Sequence, residues 1–238
     1  MGPFNSPLPL AKEFWSSMAW VLCGYTVFTL LFFQLALAIS PETFYDAQGS
    51  RGERFYWGVN LVGAVSAGAL IFALSEWSNW IGAGYFAGKL KGECGWFLIA
   101  IFASPVIWIT LTMIMNAVMG GGGDWVYADA ESAEYASAMT LTLSGAFYAV
   151  ILAPVLEELT YRGVGMGAIL ARGWHPFVAI GMMSAFFAAI HVQYSLAAMF
   201  VVFVGGIWFG ILRLMSGSVG VAIAAHISIN ATLTLLQS

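Results

Sequence analysis

Apolar residues run almost unbroken through seven stretches of this chain, at about 15–39, 55–74, 96–118, 139–157, 176–192, 196–214 and 219–236, with short polar runs between them. A helix needs about 20 mostly apolar residues to cross the hydrocarbon of a bilayer. The seven stretches meet or approach that length. They predict an all-α, polytopic membrane bundle of about seven, or eight, transmembrane helices. The last three stretches are short and rich in Gly and Ala, as suits helices packed closely against one another.

Composition strengthens this picture. Hydrophobic residues make up 61% of the 238 positions and charged residues 8%, and the mean hydropathy is +0.85. Soluble domains carry about 25% charged residues, so a surface with so few charges has to face lipid. No polar stretch is long enough for a separate soluble domain. The chain divides instead into an N-terminal part, 1–138, with three helices and an acidic loop, and a C-terminal part, 139–238, with four. The net charge of −4 comes without a basic cluster, and nucleic-acid binding would need one. Cys23 and Cys94 match no ligand spacing.

Lys and Arg in the loops set orientation. With the N-terminus in the cytoplasm, Lys12, Lys89, Lys91, Arg162, Arg172 and Arg213 fall inside, and Arg51 and Arg54 outside. The loop 120–138 carries Asp124, Asp129, Glu131 and Glu134 and no basic residue, which places it outside. The expectation is a multi-pass protein of the cytoplasmic membrane with its N-terminus inside. Ala36-Leu37-Ala38 has the small-residue pattern of a signal cleavage site, but the long apolar run before it favours a retained first helix. Gly120–Gly123 lacks the companions of a phosphate loop and reads as a hinge.

Ionisable groups at membrane depth are costly and face a bundle interior or a wet cavity, where they usually mark function. Here Glu157 and Glu158 follow directly on Leu152-Ala153-Pro154-Val155-Leu156, and His191 and His226 lie toward the ends of apolar stretches. Glu158 and Arg162 are four apart and share a helix face, so they can pair. Glu157 is turned about 100° away, has no cation three or four residues distant, and is left to point into the bundle. Phe187 shares a face with His191, and His226 with Asn230. Pro154, one turn before Glu157, should loosen the helix there.

These residues form three motifs: Glu157-Glu158-Leu159-Thr160-Tyr161-Arg162 (EExxxR), Phe187 to His191 (FxxxH) and His226 to Asn230 (HxxxN). In that order on successive hydrophobic helices they resemble the CPBP family of intramembrane proteases, also called the CAAX protease and bacteriocin-processing, or Abi, family. The resemblance covers about 146–236. It implies an intramembrane endopeptidase that hydrolyses a peptide bond with glutamate-activated water. Glu157 and His191 would activate the water, and His226 and Asn230 would form the oxyanion hole. Glu158 with Arg162 would be a structural brace, and Phe187 would pack against His191. The implied partners are membrane lipid and a peptide or protein substrate that could be lipid-modified, with no cofactor.

Two other readings use the same residues. Glu157, His191 and His226 could ligate zinc with a water in the fourth position, although no HExxH pair is present. A proton-coupled or catalytically silent membrane protein could also place carboxylate and imidazole groups at mid-membrane, although no inverted repeat is visible. Ser184 and Ser228 lie near the motif histidines, but no Asp in the bundle would orient a triad.

Overall fold

The computed structural model describes residues 14–21, 93–120, 125–127, 146–191 and 193–237. The whole predicted second span, most of the first, Cys23, the four acidic residues of the loop, and Lys12, Lys89, Lys91, Arg51 and Arg54 lie outside them. Helices account for nearly all the described chain, with no named strand among the described residues. Helix α1 covers 14–21. Glu93–Leu98, Ile99–Ala103 and Ser104–Val118 run on as α2. Tyr148–Leu152, Ala153–Glu158, Leu159–Gly165 and Met166–Ala171 likewise join into α3, which begins at 146. Pro176–Ala189 is α4, Leu196–Ser216 is α5 and Val219–Gln237 is α6.

Three segments are long and apolar enough to cross a membrane, Cys94–Val118, Leu196–Ser216 and Val219–Leu236. Large apolar side chains stand exposed on the bundle's outer faces, among them Phe102, Met113, Phe177, Leu196 and Leu235. Such a surface suits lipid, and the molecule is an integral membrane protein by this measure. The predicted fifth span is shorter than expected. Its helix has 14 residues, about 21 Å at 1.5 Å per residue, against a hydrocarbon core of about 30 Å.

The fourth stretch differs in the other direction. Its helix does not end near Glu157 but continues to Ala171, so Glu157, Glu158 and Arg162 sit in mid-helix, fully inside the bundle. Arg162 and Arg213 are both about 1% exposed. Two of the six cations assigned to inner loops are thus interior groups and carry no topological weight.

Both α2 and α3 contain π-helical turns; the turn in α2 and the first one in α3 each lead into a proline, whereas the second in α3, Leu159–Gly165, runs on into Met166. Ile99–Ala103 precedes Pro105, and Tyr148–Leu152 precedes Pro154. In α3 the wide register is explicit, because the Ala153 N–H donates to the Tyr148 carbonyl. The next donor in that register, five residues after Ala149, would be Pro154, which has no N–H. The Ala149 carbonyl is satisfied by the Asn230 Nδ2 of α6 at 2.8 Å. The same arithmetic in α2 pairs Pro105 with the Ala100 carbonyl, which lies 3.3 Å from Ser228 Oγ of α6, a hydroxyl that shares its one proton with the Ala225 carbonyl at 3.1 Å.

Close approach of helices rests on glycines. A Cβ on Gly205 of α5 would collide with the Trp108 ring of α2, whose neighbour in the interface is a 2.9 Å bond from Trp208 Nε1 to Ser104 Oγ. A Cβ on Gly210 would meet Ile180 of α4 at 3.0 Å. Gly165 of α3 faces Met183 and Val21, which brings α1 against α3. Helix ends are capped locally. His175 Nδ1 accepts from the Phe177 N–H before Pro176, Ser195 Oγ accepts from the Ala198 N–H, and Gly217 closes α5 at φ 75°.

Candidate active site

Helices α3, α4 and α6 bring the motif residues together, with α5 as the wall behind them. On α3 the Glu158 and Arg162 pair expected from their spacing is present, Nη1 to Oε1 at 3.0 Å, both side chains buried. The second Arg162 arm, Nη2, donates to the Gly206 carbonyl of α5 at 2.9 Å. Its guanidinium lies over the Phe187 ring at 4.6 Å and the Phe209 ring at 5.3 Å. Arg162 therefore ties α3 to α4 and α5 at once. A planar fork stacked on rings suits this place far better than the point charge of lysine.

His226 of α6 stands between the two carboxylates. Its Nδ1 is 3.0 Å from Glu158 Oε1 and its Nε2 is 3.7 Å from Glu157 Oε2. A carboxylate accepts and cannot donate, so Nδ1 carries the proton toward Glu158. Glu157 meets its imidazole partner from a distant part of the chain. Glu158 braces two helices rather than one, through Arg162 on α3 and His226 on α6.

His191 follows the last turn of α4. Its Nδ1 is 2.7 Å from the Phe187 carbonyl, which can only accept. In the neutral ring this fixes the tautomer and leaves Nε2 with a lone pair. The Phe187 ring packs edge-on against His191 at 4.9 Å, as the FxxxH spacing predicts, and also against His226 at 5.6 Å and Tyr161 at 5.7 Å. Phe187 is thus the hub of the site. Phe209 of α5, which no motif singled out, stacks on His226 at 4.8 Å.

Asn230 is one turn beyond His226 on α6, with its Nδ2 on the Ala149 carbonyl. The expected reach of Asn230 into the site has to be shared with that backbone bond. No three His, Cys, Asp or Glu side chains among the described residues are grouped as metal ligands. The zinc set Glu157, His191 and His226 therefore rests on the sequence alone.

A short loop closes over His191. Tyr194 stacks on the His191 ring, centroids 5.7 Å apart and planes 14° from parallel. Tyr194 also forms an isolated antiparallel bridge with Tyr127. Ser195 Oγ donates to the Trp125 carbonyl, and the Ser195 N–H donates to the Val126 carbonyl at 3.0 Å. Burial, with Tyr127 and Glu157 nearby, pushes the Tyr194 phenol up to about 12, so it stays neutral at any working pH. Sequence reasoning missed this contact, because nothing in the spacing links 125–127 to 194–195.

Residues 139–232 match the family described as type II CAAX prenyl endopeptidase Rce1-like. This segment is similar to that family. The match agrees with a CPBP family intramembrane protease and contains all three motifs. No curated protein and no solved structure matches the chain. The Rce1-like match, on a bundle with an apolar exterior, supports a membrane-embedded peptidase of the CAAX protease type.

Proposed function

We propose that this protein is an intramembrane endopeptidase in which Glu157 activates water for attack on a peptide bond near the membrane. The observation that carries the reading is the convergence of Glu157, Glu158 and His226, from α3 and α6, inside an Rce1-like segment. Glu157 is 3% exposed. A buried carboxylate beside an imidazole is a suitable proton acceptor for a bound water. The His191 Nε2 lone pair can orient the same water, its ring held by the Phe187 carbonyl and by Tyr194.

In the step itself the water oxygen bonds to the carbonyl carbon, its proton passes to Glu157, and the carbonyl oxygen takes up negative charge. His226 and Asn230 are the family's oxyanion donors by resemblance. Breakdown of the adduct breaks the C–N bond and returns a proton to the amine. Glu158 and Arg162 hold the frame without touching the substrate. The family's name points to a prenylated C-terminal Cys-aliphatic-aliphatic-X peptide as the substrate. The N-terminus inside would open the site toward the cytoplasmic leaflet.

The test is cleavage of a farnesylated, internally quenched peptide of that type by the protein in liposomes. Glu157→Gln should insert and fold as wild type and cleave nothing. Equal cleavage by Glu157→Gln would overturn the mechanism.

A further inference from the structure

We infer that Tyr161 is a further catalytic residue of this site, its phenol donating the hydrogen bond that steadies the tetrahedral oxygen during peptide hydrolysis. The inference rests on the peptidase reading above. Tyr161 belongs to the EExxxR motif only as one of its unspecified positions. It lies four residues after Glu157, one helical turn along the same face of α3. Its ring meets Phe187 edge-on, within the cluster that also holds His191 and His226.

The state of the hydroxyl is unusual, shared among the described hydroxyls with Ser184 of α4. The residue is wholly buried, and its Oη has no hydrogen-bond partner among the described residues. Buried polar groups are nearly always paired, and one that is not calls for a reason such as a catalytic role. A phenylalanine would make the same ring contacts without that cost. Among the described residues the fold gives the hydroxyl no task, whereas a substrate carbonyl would give it one.

The other donors of the site each hold a bond within the protein, Asn230 and Arg162 keeping further N–H groups beside it. Asn230 Nδ2 serves the Ala149 carbonyl, His191 Nδ1 the Phe187 carbonyl, and His226 Nδ1 the Glu158 carboxylate. Arg162 uses Nη1 on Glu158 and Nη2 on Gly206. With Nδ1 protonated, His226 could donate from Nε2 only as the imidazolium. The Tyr161 hydroxyl donates while neutral. Its proton stays on the phenol throughout. Water supplies the attacking oxygen, Glu157 takes the water's proton, and the amine receives one as the C–N bond breaks.

The experiment measures kcat and KM of Tyr161→Phe on the farnesylated quenched peptide, with thermal unfolding of the same preparations. Loss of one oxyanion donor typically lowers the rate by about 10²–10³-fold. The expected result is a fall in kcat of that order, KM within about two-fold of wild type, and an unfolding midpoint equal to or above wild type because an unpaired polar group has gone. A merely structural hydroxyl would not separate kcat from stability in this way. Wild-type kcat in Tyr161→Phe, with Glu157→Gln inactive, would overturn the role of Tyr161 and leave the peptidase reading standing. Wild-type cleavage by Glu157→Gln would instead overturn the glutamate mechanism proposed above. Should Tyr161→Phe unfold early, a fluorinated tyrosine at 161 keeps ring and hydroxyl while acidifying the phenol. A changed kcat then supports the role, and an unchanged kcat overturns it.

Discussion

Asn230 of α6 donates its side-chain N–H to the carbonyl of Ala149 at 2.8 Å, the carbonyl that Pro154 leaves without a donor in the π-helical register of α3. The bond joins the last residue of the HxxxN motif to the turn just ahead of Glu157. It gives Asn230 a physical duty independent of chemistry. The two should show up as a coupled pair. Asn230→Ala should lower stability by about 1–3 kcal/mol, the cost of stranding a buried acceptor. In a Pro154→Ala background, where the chain regains an N–H at that position, the same substitution should cost markedly less. A double-mutant cycle on unfolding midpoints measures the coupling, and purely additive losses would show that the bond does not serve the proline gap.

The Arg162 brace makes a different demand. Arg162→Met leaves Glu158 buried without its cation, and breaking a buried pair from one side typically costs about 3–5 kcal/mol. Arg162→Lys should restore little, because one ammonium cannot reach Glu158 and the Gly206 carbonyl while stacking on Phe187 and Phe209. Thermal unfolding in detergent reads both. Near-wild-type stability of Arg162→Lys would mean that charge alone, and not the fork, holds the helices.

Glycines offer a graded series. Gly206→Ala would put a methyl 3.0 Å from Arg162 Nη2 and from Ser184 Cβ, displacing the brace, so both stability and cleavage should fall. Gly205→Ala would drive a methyl into Trp108 and should be worse, since an indole ring packed between helices cannot swing aside. Gly181→Ala has open space and should raise stability by about 0.4–1 kcal/mol by restricting the unfolded chain. Unfolding midpoints in the reverse order would contradict the packing described for α4 and α5.

Chelation separates the glutamate mechanism from its zinc alternative. With water activated by Glu157, cleavage should persist at wild-type rate after prolonged treatment with o-phenanthroline or EDTA. Activity abolished by chelator and restored by zinc alone would favour Glu157, His191 and His226 as ligands.

Much of this arrangement was legible in the chain because helical spacing is local. Glu158 with Arg162, Phe187 with His191, and the apolar spans 96–118, 196–214 and 219–236 all follow from periods that a single helix imposes. The three motifs named side chains of α3, α4 and α6, helices that the structure packs around Phe187. Contacts between helices were out of reach: that His226 would lie against both carboxylates, that Phe209 would stack on it, or that Tyr194 would cover His191. The lengths of the fourth and fifth helices were misjudged for a related reason. Hydropathy registers charge as an interruption, whereas Glu158 and Arg162 cancel one another and α3 runs straight past them. Pro154 was read as a loosening of the helix, and the structure shows its form, a widened turn whose spare acceptor is filled from α6.

A widened turn ahead of a proline occurs once in α2 and once in α3, and α6 reaches the spare carbonyl of each, through Ser228 at Ala100 and Asn230 at Ala149. In hydrocarbon a bare carbonyl finds no water to relieve it. Two earlier segments thus enter the bilayer carrying debts that only a later one settles, and only if it docks at the correct height. A slip of α6 by a single turn, about 5.4 Å, would uncover both acceptors together and carry His226 away from Glu157. Assembly of the cluster of Glu157, Glu158 and His226 is thereby tied to the correct seating of one helix, so a misinserted chain is left without the proposed site.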